Sequence, residues 1–226
     1  MTEYFTFAPF EVECNLYMTL EQGRGEKEHV AMKGPEEILT FWLDEVGEKR
    51  WYAQDEALDA RVRDQFEETW EAAMEGRFGL WLTYPSGALA YIVLLDQFTR
   101  NVFRGSGDAF QHDSLARELA LDLIDSGRKD ELYPIEQGLV FMPLEHSEEL
   151  ALQERCVELF EALTDEVPES ITDTFANFTQ YAIKHRDIIA RFGRFPHRNA
   201  LLGRESTPEE VAYLNDGGET FGQKKS

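Results

Sequence analysis

The chain has 226 residues, with 44 acidic side chains against 22 Lys and Arg and a formal net charge of -22. That balance argues against nucleic acid and anionic membranes as general partners, because both attract Lys and Arg. Sixteen Phe, eight Tyr and four Trp are enough bulk for one packed core of this length.

The first stretch, MTEYFTFAPFEVEC, carries no basic region and does not read as a secretory signal. Residues 1–33 lack helical periodicity, contain the Gly/charge cluster GRGEKEH, and are expected to form a loosely packed arm; Met32 is an alternative start. From Gly34 onward the pattern is helical. Pro35 followed by Glu36 and Glu37 opens a helix, with acids at its positive end. A second helix is expected over Asp55–Met74 and a turn at Thr83–Gly87. A third helix covers Ser86–Phe103, and a fourth opens at Asp108, with Gln111 as a capping partner, and stops at Gly127. Pro134 opens a fifth helix, expected to break near Pro143. A sixth follows over Ser147–Thr164 and a seventh over Ser170–Phe192, with Gly193 as a left-handed cap. Thr207-Pro208-Glu209-Glu210 is a capping box for a terminal helix to Leu214, and residues 216–226 read as a flexible tail.

No alternating strand pattern appears after residue 34. The expected class is all-α, a single domain over residues 34–215 in which antiparallel helical hairpins stack as a tetratricopeptide-like superhelix or form an irregular bundle. The longest apolar run, Ala88–Leu95, falls short of the roughly 20 residues of a membrane helix. Cys14 and Cys156 show no metal or disulfide spacing, so a reduced cytoplasmic protein is expected.

Three segments place polar groups on apolar faces. In LLDQFTRNVFR, the side chains of Asp96, Gln97, Arg100, Asn101 and Arg104 share an arc of about 140°. The first half of that helix is apolar almost all round, so the arc meets either a cleft or solvent. In PLEHSEELALQE, Glu149 and Gln153 project onto the inner face beside His146. His146 with Glu148 or Glu149 is a candidate acid/base pair, against the alternative of acids in a first helical turn. HxxE alone does not make a metal site, and no metal is expected. The third segment, residues 184–204, is locally basic: six Lys and Arg stand against one acid, Asp187. His185 lies in an apolar stripe, and RFPHRN brings Arg194, His197, Arg198 and Asn199 together, with Arg204 beyond. Arginine forks suit carboxylate and phosphate, but they also bond helix ends and acids.

The blocks ILTFWL, GALAYIVLLDQFTRNVFRG, FMPLEHSEELALQE and KHRDIIARFGRFPHRNALLGRESTPEE resemble a bacterial family known as domain of unknown function 924, over about Pro35 to Phe221. The resemblance implies a mostly helical, tetratricopeptide-like fold without true repeats, and no established activity. The family pattern carries Asp96, Gln97, Arg100, Asn101, Arg104, His146, Glu148, Gln153, His185, Arg194, His197, Arg198, Asn199 and Arg204, with no roles attached. His112 departs from it and is not placed in the site.

Two functions stay open. One is a pocket for a small anionic ligand, phosphate or carboxylate. Asp96, Gln97, Arg100, Asn101, Arg104, Gln153, Arg194, Arg198, Asn199 and Arg204 would hold the ligand, and His146, His185, His197 and Glu148 would supply acid/base chemistry of a hydrolase or transferase. The other is an interaction scaffold for a protein or peptide, with the same residues structural. Nucleophile elbow, Walker loop, Rossmann glycines and HExxH are all absent, and no cofactor is expected.

Overall fold

A computed structural model of the chain describes residues 32–51 and 53–222. The arm expected over residues 1–33 lies, up to residue 31, outside them. The described residues are all-α: helices joined by short turns, with no strand among them. None of these helices is long and apolar enough to cross a membrane.

Helix α1 (Pro35–Leu39) continues without a break through wider π-type turns at Thr40–Val46 and stops at Gly47, whose φ of 73° suits glycine. Helix α2 (Glu56–Met74) starts at Asp55, whose side chain accepts the backbone N–H groups of Ala57 and Leu58. Helix α3 (Pro85–Ile92) runs through a second π-type stretch, Val93–Phe98, into α4 (Thr99–Val102). This rod is the centre of the molecule: every residue from Gly87 to Thr99 is buried. Phe98 meets Phe41, Trp42 and Phe66 at ring-centroid distances of 4.8–5.9 Å. Each such buried ring contributes about 1.5–3 kcal/mol relative to exposure.

Helix α5 (Asp113–Asp125) does not begin at Asp108, as the capping pattern suggested. Ser106 takes the cap instead, accepting the Asp108 N–H at 3.2 Å and starting a short 3-10 turn, Gly107–Phe110. Helix α6 (Pro134–Glu145) also departs from expectation by running through Pro143. Pro143 lies in the last turn, where one lost ladder bond ends little helix. Helices α7 (Leu150–Glu166) and α8 (Glu169–Phe192) then pack in succession against α6. Gly193 caps α8 in the left-handed region at φ 68°. Helix α9 (Pro208–Asn215) carries the expected Thr207–Glu210 capping box.

Most of the apolar core is one cluster spanning α1 to α8. A smaller one joins Ile188, Ile189 and Phe195 with Phe192, Tyr213 and Phe221. The second cluster ties the end of α8 to α9 and the tail, and brings the 194–204 loop back onto the helices.

Candidate functional site

The first wall comes from the central rod. Its π-type stretch ends in Asp96, Gln97 and Phe98, and π turns in α-helices often mark functional sites. Asp96 is fully buried. It accepts a hydrogen bond from Gln97 at 2.5 Å, lies 2.7 Å from His146 Nδ1 and 3.1 Å from the Arg100 guanidinium. Burial opposes its ionisation, but Arg100 and His146 outweigh that cost and hold the carboxyl below its usual range. One turn on, Asn101 donates to Asp59 at 2.8 Å, and Arg104 grips the same carboxylate with two bonds of 2.6 and 2.9 Å.

The second wall is the end of α6 and the middle of α8. His146 gives its Nδ1 to Asp96, which fixes the tautomer and leaves Nε2 as the nitrogen available to a ligand. Burial first, then Arg100, push its pKa down against Asp96, so the ring is neutral at neutral pH. The His185 ring lies 6.1 Å from that of His146. Its Nδ1 is 2.8 Å from the Tyr181 carbonyl oxygen and 2.9 Å from Glu145 Oε1. Neither oxygen of the buried Glu145 carboxylate has a well-aligned hydrogen bond.

The third wall is the turn Pro196–Arg198. It can lie against the Gly107 turn because Gly107 has no side chain: a Cβ there would stand 2.6 Å from the Leu201 carbonyl oxygen. That approach sets Arg198 over the rings of Phe110 and Phe195, at 4.5 and 4.4 Å, with its guanidinium 3.1 Å from the His146 carbonyl oxygen and 3.4 Å from Asp113. Burial lowers its pKa to about 10, which still leaves it charged at neutral pH. His197 falls to about 2, through burial and then Arg198, His185, Arg100 and Arg204. Arg198 Nε and His197 Nδ1 are buried without a hydrogen-bond partner.

These walls enclose a cavity of about 50 Å³, room for a few waters or one small ion. Gln97, Arg100, Asn101 and Arg104 line it from the first wall, His146 and His185 from the second, and His197 and Arg198 from the third. The sequence pointed to all eight. Asp96 stands behind His146. Acids balance the arginines, but from behind: Asp59 holds Arg104, Asp113 holds Arg100 and Arg198, and no carboxylate is among the lining residues.

Five other candidates do not line the cavity. Arg204 and Glu148 form a two-bond fork of 2.6 and 2.9 Å, and Glu148 also accepts the Phe195 N–H at 2.8 Å. Burial opposes ionisation of Glu148, but Arg204 and that N–H bring its pKa down. Arg194 forks onto Glu210 at 2.6 and 2.8 Å, and Asn199 bridges Glu210 to Ser206. Gln153 donates to the carbonyls of Glu145 and Ser147, closing the end of α6. Glu148 does not sit in the first turn of a helix, because α7 starts only at Leu150. His112 packs edge-on against Trp70, away from the cavity.

Sequence reasoning passed over Trp51, Phe110 and Phe221, which complete the lining, and Asp59, Asp113 and Glu145 behind it. Two of the acids carried a signal. Asp59 falls on the α2 stripe of Val62, Phe66 and Thr69, and Glu145 follows Phe141 and Met142 at helical spacing. The aromatics carried none, because they lie in turns and the tail, outside any periodic face.

A family model for bacterial proteins of unknown function, DUF924, matches residues 38–218. The chain belongs to this family. The solved structure of a protein of unknown function from Agrobacterium tumefaciens is similar to it, with 36% identity, a TM-score of 0.72, and coverage of 81% of this chain and 97% of that one. No curated protein matches. The DUF924 match takes in every lining residue except Phe221, which lies beyond its end.

Proposed function

We propose that the cavity binds the phosphate or carboxylate group of a small molecule, and that the Asp96–His146 pair moves a proton on it. The observation that carries this reading is the sidedness of charge. In a chain of net charge -22, arginines 100, 104 and 198 line the cavity and no carboxylate does. The cations that lower His197 describe the same local field, and Arg198 Nε is an N–H donor that lacks an acceptor. A buried donor without an acceptor costs about 1–3 kcal/mol, which an anion in the cavity would recover.

The proton chemistry follows from the tautomer. With Nδ1–H given to Asp96, a neutral His146 offers the Nε2 lone pair as a general base, and Asp96 stabilises the imidazolium that results. His185 lies beside it, with Nδ1 turned to Tyr181 and Glu145. Proton transfer beside a held anion suits a hydrolase or transferase. The scaffold alternative accounts for Glu148, Arg194, Asn199 and Arg204 but leaves the unpaired groups of His197 and Arg198 without a reason.

A thermal-shift screen with phosphorylated and carboxylated metabolites tests the reading. A ligand at a hundred times its Kd should add about 2.7 kcal/mol of stability, and Arg198→Ala should abolish the shift. A shift of equal size in Arg198→Ala would remove that residue from the site, and no shift with any anion would sink the proposal.

A further inference from the structure

The chain's tail reaches the cavity: Phe221 is one of the residues that line it. After α9 the chain turns at Gly217, with φ 88°, and Gly218 lies against Tyr213 so closely that a Cβ would stand 2.5 Å from the ring. The Tyr213 hydroxyl accepts the Glu219 N–H at 3.0 Å. Beyond that point the holds are few. Phe221 stacks on His185 at 3.5 Å between ring centroids and meets Phe195 and His197 edge-on. The Gly222 carbonyl accepts from Arg104 at 3.0 Å and from Gln54 at 2.8 Å. Phe221 is also the one non-glycine residue with positive φ, 49°, among those described. That conformation is costly for a bulky side chain.

We propose that Phe221 and Gly222 occupy the cavity's outer subsite as a strap that must swing out, beyond the Glu219 anchor, before a ligand reaches Arg104. Asp59 takes the Nε–H and one Nη2–H of Arg104, while Nη1 donates to the Gly222 carbonyl and meets no acid, so Nη1 is the nitrogen a ligand oxygen would claim. The carbonyl is thus a stand-in for that oxygen, and Phe221 covers the face of His185 that a bound molecule would meet. The strap rests on the cavity being the ligand site, and its gating can be measured with no ligand present.

The test uses the full chain as wild type, Phe221→Ala, Phe221→Tyr and Gln54→Ala. The rate of His185 modification by diethyl pyrocarbonate is followed by peptide mass spectrometry, with His112 as the internal check on folding. Phe221→Ala should speed His185 modification about tenfold and leave His112 unchanged; Gln54→Ala should speed it roughly threefold, and Phe221→Tyr should match wild type. Inorganic phosphate, titrated by calorimetry, should bind Phe221→Ala about tenfold more tightly than wild type. Equal His185 rates in wild type, Phe221→Ala and Gln54→Ala would overturn the strap, even if phosphate binds both. A faster His185 with phosphate binding to neither form would keep the strap and sink the anion reading.

Discussion

Arg204 and Arg198 come from the same basic loop and are used in opposite ways. Arg204 spends its donors on Glu148, Asn199 and the Phe195 carbonyl, and Arg194 nearby does the same with Glu210 and the Glu205 carbonyl. Arg198 is more deeply buried, stacks between two rings, and keeps an N–H without an acceptor. The contrast separates a clamp from a site. Where every polar group is satisfied, the arginine fixes the loop. Where burial is greater and satisfaction incomplete, free energy is left for a ligand to recover. The local excess of positive charge in the sequence is the sum of both.

Breaking the clamp should have the largest effect on stability. Glu210 is only 2% exposed, accepts from Arg194, Asn199 and the Thr207 N–H, and its pKa is held at about 2 chiefly by Arg194. Glu210→Ala should cost about 2–3 kcal/mol in urea denaturation, because the Asn199 amide and the Thr207 cap lose their acceptor while the partly exposed Arg194 can turn to water. A loss below about 1 kcal/mol would mean that the clamp does not hold the loop.

A smaller effect on the cavity side appears through pH. His197 is neutral in the folded chain, with a pKa of about 2 against 6.5 unfolded, so the unfolded chain binds more protons between those values. Its contribution is complete above pH 6.5 and is lost as pH falls below it. Between pH 7 and 5, wild type should lose about 2 kcal/mol more than His197→Gln. Parallel stability curves for the two would show that the cavity does not hold His197 neutral. The smallest effect belongs to the surface. Arg191 pairs with Glu209 in the open, at 2.9 Å, and Arg191→Ala should change stability by less than about 0.5 kcal/mol. A larger loss would blur the line between exposed and working arginines.

Local rules recovered most helix ends, because caps are short-range: Asp55, Gly193 and the Thr207 box each act within a turn of themselves. They failed at Asp108, where Ser106 offers the same chemistry two residues earlier, and at Pro143, where position in the last turn decides the cost. Helical angle arithmetic found the Gln97–Arg104 arc in spite of the π-type turns, since both geometries keep those residues on neighbouring faces. It could not separate Arg198 from Arg204. Which arginine meets an acid depends on where Glu148 and Asp113 fall after folding, through contacts 56 and 85 residues apart in the chain. Phe221 was out of reach for the same reason: nothing periodic links it to His185.

The central claim is that Arg198, and not the neighbouring clamp, faces an anion. Calorimetric titration of inorganic phosphate into wild type, Arg198→Ala and Arg191→Ala at neutral pH tests it most directly. The account predicts saturable binding to wild type and Arg191→Ala, and a loss of at least about tenfold in Arg198→Ala, the equivalent of about 1.4 kcal/mol. Equal binding by all three chains would contradict it.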